Sequence, residues 1–234
     1  MIAINALLLG PGTSVTHEAI KIASAANCAI CWVGEDSLLF YASGVVPTSN
    51  TRNLQRQAWL STDKDASLAV ARAFFAKRFP DAELEGKTLQ EMMGMEGLRV
   101  RNFYLEKAEQ YKVGWKGRVF TPGKFELSDL TNQILTSTNA ALYGVLCSCV
   151  HSLGYSPHLG FIHSGSPLPF VYDLADLYKG ELAFSLTLPL AGRYNKYAVS
   201  EAFRKRVLEM KLLEKVAEDI ESLIGGKCAR RYRK

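Results

Sequence analysis

A glutamate interrupts the apolar face of one predicted helix. The helix begins near Thr88, and Glu96 completes a helical repeat whose other members are apolar, namely Leu89, Met92, Met93, Val100 and Phe103. A carboxylate on a buried face is costly unless a cation or several hydrogen-bond donors meet it. The pattern leaves two alternatives open, an ion pair with Arg99 or Arg101, or a metal ion.

Two further carboxylates and a histidine lie later in the chain. Asp173 and Asp176 are three residues apart on the predicted helix of PLPFVYDLADLYKG, and His163 precedes it in the turn-like segment GFIHSGSP. Carboxylates this close repel each other and favour a nearby cation. An exposed acidic pair near a helix start and an ordinary lone histidine are the simpler interpretations. Together with Glu96, these residue types suit Mg²⁺ or Mn²⁺, although their spacing does not show that they converge.

A polar stripe runs along an otherwise apolar helix predicted over residues 128–153. Its members fall at i, i+4, i+7 and i+11, and they are Asn132, Thr136, Asn139 and Tyr143. A buried polar stripe indicates a wet cleft or a polar site. The alternative is that this face of the helix is simply exposed to solvent.

Positive charge is concentrated in two segments of a chain whose net charge is +5. Residues 94–124 hold seven Lys and Arg against three Glu, and residues 201–234 hold ten against six acids, so each segment has a net charge of +4. Such clustering suits a polyanion such as nucleic acid. Solvated charged faces are the simpler explanation.

Several classes of function are disfavoured. The cysteine pairs Cys28/Cys31 and Cys147/Cys149 have poor context for zinc and are interpreted as packing residues. The glycines of GPGT match no phosphate-binding or dinucleotide motif. No apolar run reaches the roughly 20 residues that span a bilayer, so we expect no membrane insertion, and without a secretory signal we expect a cytoplasmic protein.

The elements that carry these residues change character near residue 50. The first fifty residues predict strand, helix, strand, strand, and the rest predicts helices over 54–79, 88–111, 128–153, 169–180 and 198–223. The predicted fold class is α+β, with a partial N-terminal β domain (1–50), a mainly α-helical catalytic domain (51–225) and a basic tail (226–234). Three strands and one helix leave sheet edges that something else must cover.

Four motifs, in order along nearly the whole chain, carry a resemblance to a known family. They are VGEDSLLFYASG, GMEGLRVRNFY, TNQILTSTNAALYGV and GYSPHLGFIHSGSPLPFVYDLADLYK. In combination they resemble the CRISPR spacer-acquisition integrase, closest to its type I-E branch. The resemblance implies further strands ahead of the point that matches Met1, so the chain is interpreted as N-terminally shortened.

The resemblance also implies roles for individual residues. Glu96, His163 and Asp176 would be the ligands of Mg²⁺ or Mn²⁺, Asp173 would support them, and Tyr143 is a secondary catalytic candidate. The predicted DNA contacts are Arg99, Arg101, Lys116, Arg118, Asn132 and Asn139.

The implied reaction is a metal-dependent transesterification that joins the 3′-hydroxyl ends of short DNA fragments into the repeat array. The implied partners are the fragment duplex, the CRISPR repeat, a second copy of the chain in a homodimer, and a small ferredoxin-like adaptation subunit. Two alternatives remain, a DNA-binding scaffold without integration activity and a general metal-dependent DNA endonuclease.

Overall fold

The computed structural model describes residues 6–26, 28–34, 40–44, 51–114, 129–187 and 195–225. The elements are β1 (Ala6–Leu9), α1 (His17–Ala25), β2 (Ala29–Val33), β3 (Phe40–Gly44), α2 (Arg52–Thr62), α3 (Lys64–Arg78), α4 (Leu89–Gln110), α5 (Leu130–Ser152), α6 (Pro169–Thr187), α7 (Lys196–Glu209), α8 (Leu212–Ile220) and a π-helical turn (Glu221–Gly225). A small sheet is thus followed by helices, which confirms the predicted α+β class. Within the described ranges, no helix is long and apolar enough to cross a bilayer.

The sheet has the order β1-β2-β3, with β2 parallel to β1 and antiparallel to β3. Because side chains alternate along a strand, β2 faces two different neighbours. Ile30 packs with Ala23 and Cys28 beside α1. Cys31 faces α5, where its Sγ lies 3.2 Å from Oγ of Ser148. The sheet is therefore held between α1 and α5.

The four described cysteines are buried and form no disulfides, as expected for packing residues. Burial raises the pKa of Cys147 to about 12 and that of Cys149 to about 11. A thiol with such a pKa stays protonated at neutral pH, as suits a side chain packed among apolar neighbours.

Two predicted helices are each divided in the structure. Asp63 separates α2 from α3: its N–H bonds to the carbonyl of Trp59, which ends α2, and its carboxylate accepts from the N–H of Ala66, which begins α3. Lys211, with φ of 48°, separates α7 from α8. The apolar repeat continues across both breaks, so periodicity alone did not reveal them.

Helix α5 is the centre of the helical part. It packs against α6, α7, α8 and all three strands, and its Leu142, Leu146 and Val150 have no exposed surface. Asp129 caps its start by accepting from the N–H of Asn132. The segment 153–168 connects the end of α5 to the start of α6. Because these two helices pack against each other, both ends of the segment are fixed.

A buried glutamine of α2 holds that segment. Gln57 has no exposed surface. Its Nε2 donates to the carbonyls of Ser156 and Leu159, both at 2.8 Å, and its Oε1 accepts from the N–H of Ser156 at 2.7 Å. One side chain thus satisfies three backbone groups of a non-regular segment.

Replacing Gln57 by alanine tests this role. Gln57→Ala leaves three half-buried backbone groups without their side-chain partner and opens a cavity at a buried position, so we expect a loss of roughly 2–4 kcal/mol in the free energy of unfolding. Urea unfolding followed by circular dichroism measures it. The matched control is Gln55→Ala on the exposed face of the same helix, where Gln55 bonds to Thr51, with an expected loss below about 0.5 kcal/mol. Equal losses would contradict the assignment.

A histidine joins the sheet to α5. The Nε2 atom of His151 lies 2.7 Å from Oγ of Ser43 in β3. Burial, and then the nearby His158, lower the pKa of His151 below its ordinary value. Below about pH 6.5, the ordinary histidine pKa, the unfolded chain therefore binds a proton that the folded chain takes up less readily. His151 thus makes the fold less stable as the pH falls through that range.

His151→Gln removes the titration and keeps a side-chain amide that can bond to Ser43. We expect the free energy of unfolding of the wild type to fall more steeply than that of the variant between about pH 7 and about pH 5. Urea unfolding at a series of pH values gives the two slopes. Parallel slopes would show that His151 does not contribute to the acid sensitivity.

Candidate functional site

A buried aspartate organises the segment that carries His163. Asp173, in α6, is 1% exposed. Its carboxylate accepts from the backbone N–H groups of Phe161 at 2.6 Å, Ile162 at 3.3 Å and His163 at 2.9 Å. The Nδ1 atom of His163 lies 2.8 Å from its Oδ1. An ionised carboxylate can accept about four hydrogen bonds, and these contacts occupy those positions.

The same contact fixes the orientation of the imidazole. An ionised carboxylate only accepts hydrogen bonds, so Nδ1 of His163 carries the proton that bonds to Asp173. In the neutral ring, Nε2 then keeps its lone pair, and it lies 3.7 Å from Oδ2 of Asp176. A carboxylate behind one ring nitrogen and a free lone pair at the other is the usual arrangement of a metal-binding histidine.

Asp176 lies one helical turn after Asp173 and has different neighbours. Its Oδ1 is 2.7 Å from Nζ of Lys179, and its Oδ2 is 3.6 Å from Nη1 of Arg78. The side chain of Lys179 is 17% exposed. Burial lowers its pKa, but Asp176 and Tyr143 more than offset this, so the pKa of Lys179 is raised. This lysine therefore remains a cation beside Asp176.

Glu96, on α4, meets the cluster through Arg78, at the end of α3. A nitrogen of the Arg78 guanidinium contacts Oε1 of Glu96. Of the two arginines named as candidate ion-pair partners, Arg99 is wrong, because it pairs with Asp81 at 2.9 Å, and Arg101 is exposed. Burial lowers the pKa of Arg78, while Asp176 raises it. The packing of α3 against α4, which local sequence does not show, supplies the partner.

The three predicted ligands are thus gathered at one junction of α3, α4, α6 and the segment before α6. Glu96 and Asp176 both contact Arg78, and His163 faces Asp176. The donor set of two carboxylates and an imidazole with a free Nε2 fits Mg²⁺ or Mn²⁺ in chemistry. Within the described residues, however, no three His, Cys, Asp or Glu side chains form a ready-made metal cage.

Two tyrosines link α5 to this cluster. The rings of Tyr143 and Tyr172 meet edge to face at 4.9 Å, and Nζ of Lys179 lies 5.2 Å from the ring centre of Tyr143. Tyr172 also packs edge to face on His163 at 6.0 Å. Tyr143 therefore lies beside the cluster, and its catalytic role stays a prediction. Tyr172, Lys179 and Arg78 are neighbours that were not predicted from the sequence. For Lys179, its i+3 spacing from Asp176 was an available signal.

The polar stripe of α5 is largely buried, so the solvent-exposed alternative is wrong for its first and third members. Asn132 has no exposed surface and its Nδ2 donates to Asp129 at 2.6 Å. Asn139 is 7% exposed, and its Oδ1 has no hydrogen-bond partner among the described residues. Contact of either asparagine with DNA stays a prediction. Lys116 and Arg118, also predicted contacts, lie outside the described residues, as does the basic tail.

The junction gathers two carboxylates, an imidazole and basic side chains from elements far apart in sequence. Comparison with known proteins identifies the family. Residues 75–221 match the family model of CRISPR associated protein Cas1. CRISPR-associated endonuclease Cas1 2 of Chlorobaculum tepidum is 64% identical over 228 residues, which are 96% of this chain and 77% of that protein. The chain belongs to the Cas1 family.

Solved structures with a similar fold were also found. The crystal structure of the TtCas1-DNA complex has a TM-score of 0.81 at 38% identity, covering 95% of this chain and 84% of that one. A casposase bound to integration product has a TM-score of 0.66 at 17% identity, covering 99% of this chain and 83% of that one; this likeness concerns the fold alone. The residues of the cluster, from Arg78 to Lys179, all lie within the part of the chain that matches the family model.

A close approach at Gly160 tests how the site is positioned. A Cβ at Gly160 would lie 2.7 Å from Cβ of Pro169, at the start of α6, and 3.0 Å from the carbonyl oxygen of His163. Gly160→Ala should therefore push the segment away from α6, lowering the free energy of unfolding by about 1–3 kcal/mol and weakening the contact between His163 and Asp173. Urea unfolding and the NMR shift of the Nδ1 proton of His163 measure these effects.

The control for this substitution is Gly10→Ala. Gly10 has no neighbour within 4 Å of its Cβ position and lies far from His163 in the chain. We expect a change below about 0.5 kcal/mol and an unaltered histidine signal. A wild-type signal and stability in Gly160→Ala would show that the close approach does not position His163.

Proposed function

We propose that this chain is a metal-dependent DNA integrase of CRISPR adaptation, which joins the 3′-hydroxyl ends of short DNA fragments into the repeat array. The observation that carries the proposal is the junction where Glu96, Asp176 and His163 are brought together. Support comes from relatives called CRISPR-associated endonuclease Cas1 and from a DNA-bound relative at 38% identity.

The proposed reaction exchanges one phosphodiester for another. The oxygen of the fragment's 3′-hydroxyl forms a bond to phosphorus at the edge of the repeat, and the bond from that phosphorus to the 3′-oxygen of the repeat strand breaks. The attacking hydroxyl loses a proton and the leaving oxygen gains one. Because the number of phosphodiesters is unchanged, no nucleotide cofactor is required.

Each side chain of the cluster has its own role in the proposed reaction. Glu96, Asp176 and His163 would hold Mg²⁺ or Mn²⁺, which when bound stabilises negative charge on the phosphate and lowers the pKa of the attacking hydroxyl. Asp173 keeps Nε2 of His163 directed at Asp176. Lys179 provides positive charge next to the proposed reaction centre, where a phosphate would bring negative charge. Tyr143, which lies against Lys179, would limit access of water.

The partners remain those implied by the resemblance. They are the fragment duplex, the CRISPR repeat, a second copy of this chain and a small ferredoxin-like adaptation subunit. The exposed Arg101 and the partly exposed Arg99 on α4 are close in sequence to Glu96, so a DNA strand at the site would pass near them. The type I-E placement is part of this proposal.

Hydrolysis of DNA is the second candidate function. The relatives are called endonucleases, and the same groups would serve if water replaced the 3′-hydroxyl as the attacking group. The two reactions leave different products: integration leaves a fragment covalently attached to the repeat strand, whereas hydrolysis leaves only a cut strand.

A strand-transfer assay separates these functions. The assay incubates a labelled short duplex and a supercoiled plasmid bearing a repeat with the protein and Mn²⁺, with and without the ferredoxin-like subunit. We expect labelled plasmid with the wild type, and a loss of at least about 100-fold with Glu96→Ala, because one carboxylate of the ion site is gone. A chelator should abolish the product as well.

Glu109→Ala is the matched control, since Glu109 is an exposed glutamate near the other end of α4. It should keep the wild-type yield. Cut but unlabelled plasmid would favour the endonuclease. Wild-type protein that binds the DNA but gives neither product would favour the scaffold alternative, and equal yields from wild type and Glu96→Ala would overturn the proposed role of Glu96.

A further inference from the structure

Arg78 is a cation shared by two of the proposed metal ligands. It lies in the last turn of α3 and reaches between α4 and α6, where it contacts Oε1 of Glu96 and lies 3.6 Å from Oδ2 of Asp176. The side chains of Arg78, Glu96 and Asp176 are 16%, 15% and 13% exposed. These charges are therefore shielded from water and depend on one another.

We propose that Arg78 is the resident counter-cation of this site: it neutralises Glu96 and Asp176 when no divalent ion is bound and competes with the ion for their oxygens. The proposal rests on the proposed ion site and adds a residue with a defined effect on ion affinity. Binding of the ion requires Arg78 to break its contact with Oε1 of Glu96.

The balance of charge supports competition. Glu96 and Asp176 face Arg78 and Lys179, so two negative charges already meet two positive ones. Asp173 adds a third negative charge, which backbone N–H groups and His163 stabilise. A divalent ion would change the net charge of this poorly hydrated junction from about −1 to about +1, and the departure of one resident cation would bring it back to about zero.

The geometry identifies Arg78 rather than Lys179 as the cation that moves. Lys179 is hydrogen-bonded to Oδ1 of Asp176 at 2.7 Å. The other oxygen, Oδ2, is 3.6 Å from Arg78 and 3.7 Å from Nε2 of His163, and both distances exceed a hydrogen bond. That oxygen is therefore the one most readily taken by an ion, and it faces both His163 and Arg78.

An aromatic ring supports Arg78 independently of the carboxylates. The guanidinium carbon of Arg78 lies 5.2 Å from the ring centre of Phe79, and so does that of Arg99. A guanidinium that loses a carboxylate keeps this cation–π contact. Release of Glu96 is thus less costly than it would be for a cation held by carboxylates alone.

The test measures Mn²⁺ binding by the full chain, without DNA. Arg78→Met removes the charge and keeps an unbranched apolar side chain. We expect its dissociation constant for Mn²⁺, from calorimetry, to be at least about fivefold lower than that of the wild type, because no internal cation competes. In chelator its melting temperature should lie below that of the wild type, and Mn²⁺ should raise it by more than it raises that of the wild type.

Lys77→Met is the matched control, because Lys77 precedes Arg78 in the last turn of α3 but pairs with Asp219 at 2.7 Å; its Mn²⁺ affinity should equal that of the wild type. Arg78→Lys, which keeps a cation of shorter reach, should bind Mn²⁺ with intermediate affinity and serves if Arg78→Met does not fold. Unchanged or weaker Mn²⁺ binding by the folded Arg78 variants, with binding by the wild type intact, would overturn the counter-cation proposal alone. No Mn²⁺ binding by any of the proteins would overturn the ion site with it.

Discussion

A buried carboxylate must be met by donors or by cations, and this requirement organises the junction of α3, α4 and α6. Three carboxylates satisfy it in different ways. Asp173 accepts hydrogen bonds from three backbone N–H groups and an imidazole N–H. Asp176 forms ion pairs with Lys179 and Arg78, and Glu96 forms an ion pair with Arg78. Since isolated charges away from water are costly, the contacts of Arg78 and Asp173 tie α3, α4, α6 and the segment before α6 to one another, while Lys179 lies on the same helix as Asp176.

Those constraints extend beyond the site. The segment 153–168 is held at one end by Gln57 of α2, through Ser156 and Leu159, and near the other by Asp173 of α6. Its conformation therefore depends on two helices far apart in sequence. Arg78 is the last residue of α3, so the end of this helix is also placed by the contacts of Arg78 with Glu96 and Asp176. The helix dipole favours a basic residue at that position. The site is thus built from helix ends and one segment fixed from both sides.

The sequence predicted the elements better than their contacts. Glu96 was detectable because a carboxylate replaced an apolar residue in a regular repeat, and the caps of α4 and α5 follow local rules. Arg78 was not detectable, since a basic residue in the last turn of a helix is commonplace and its partners lie on α4 and α6. The same reason explains why Arg99 was expected to pair with Glu96: local spacing suggests it, but helix packing directs Arg99 to Asp81.

Asp173 and Asp176 show how two residues of one type, one helical turn apart, differ in what they can do. Binding an ion at Asp173 would require breaking hydrogen bonds to three backbone N–H groups and would release the segment that carries His163. The partners of Asp176 are the side chains of Lys179 and Arg78, so replacing Arg78 by an ion breaks no backbone hydrogen bond. A ligand held by a side chain exchanges that partner for an ion at lower cost than one held by backbone N–H groups. This difference favours Asp176 as the ligand and Asp173 as the residue that positions His163.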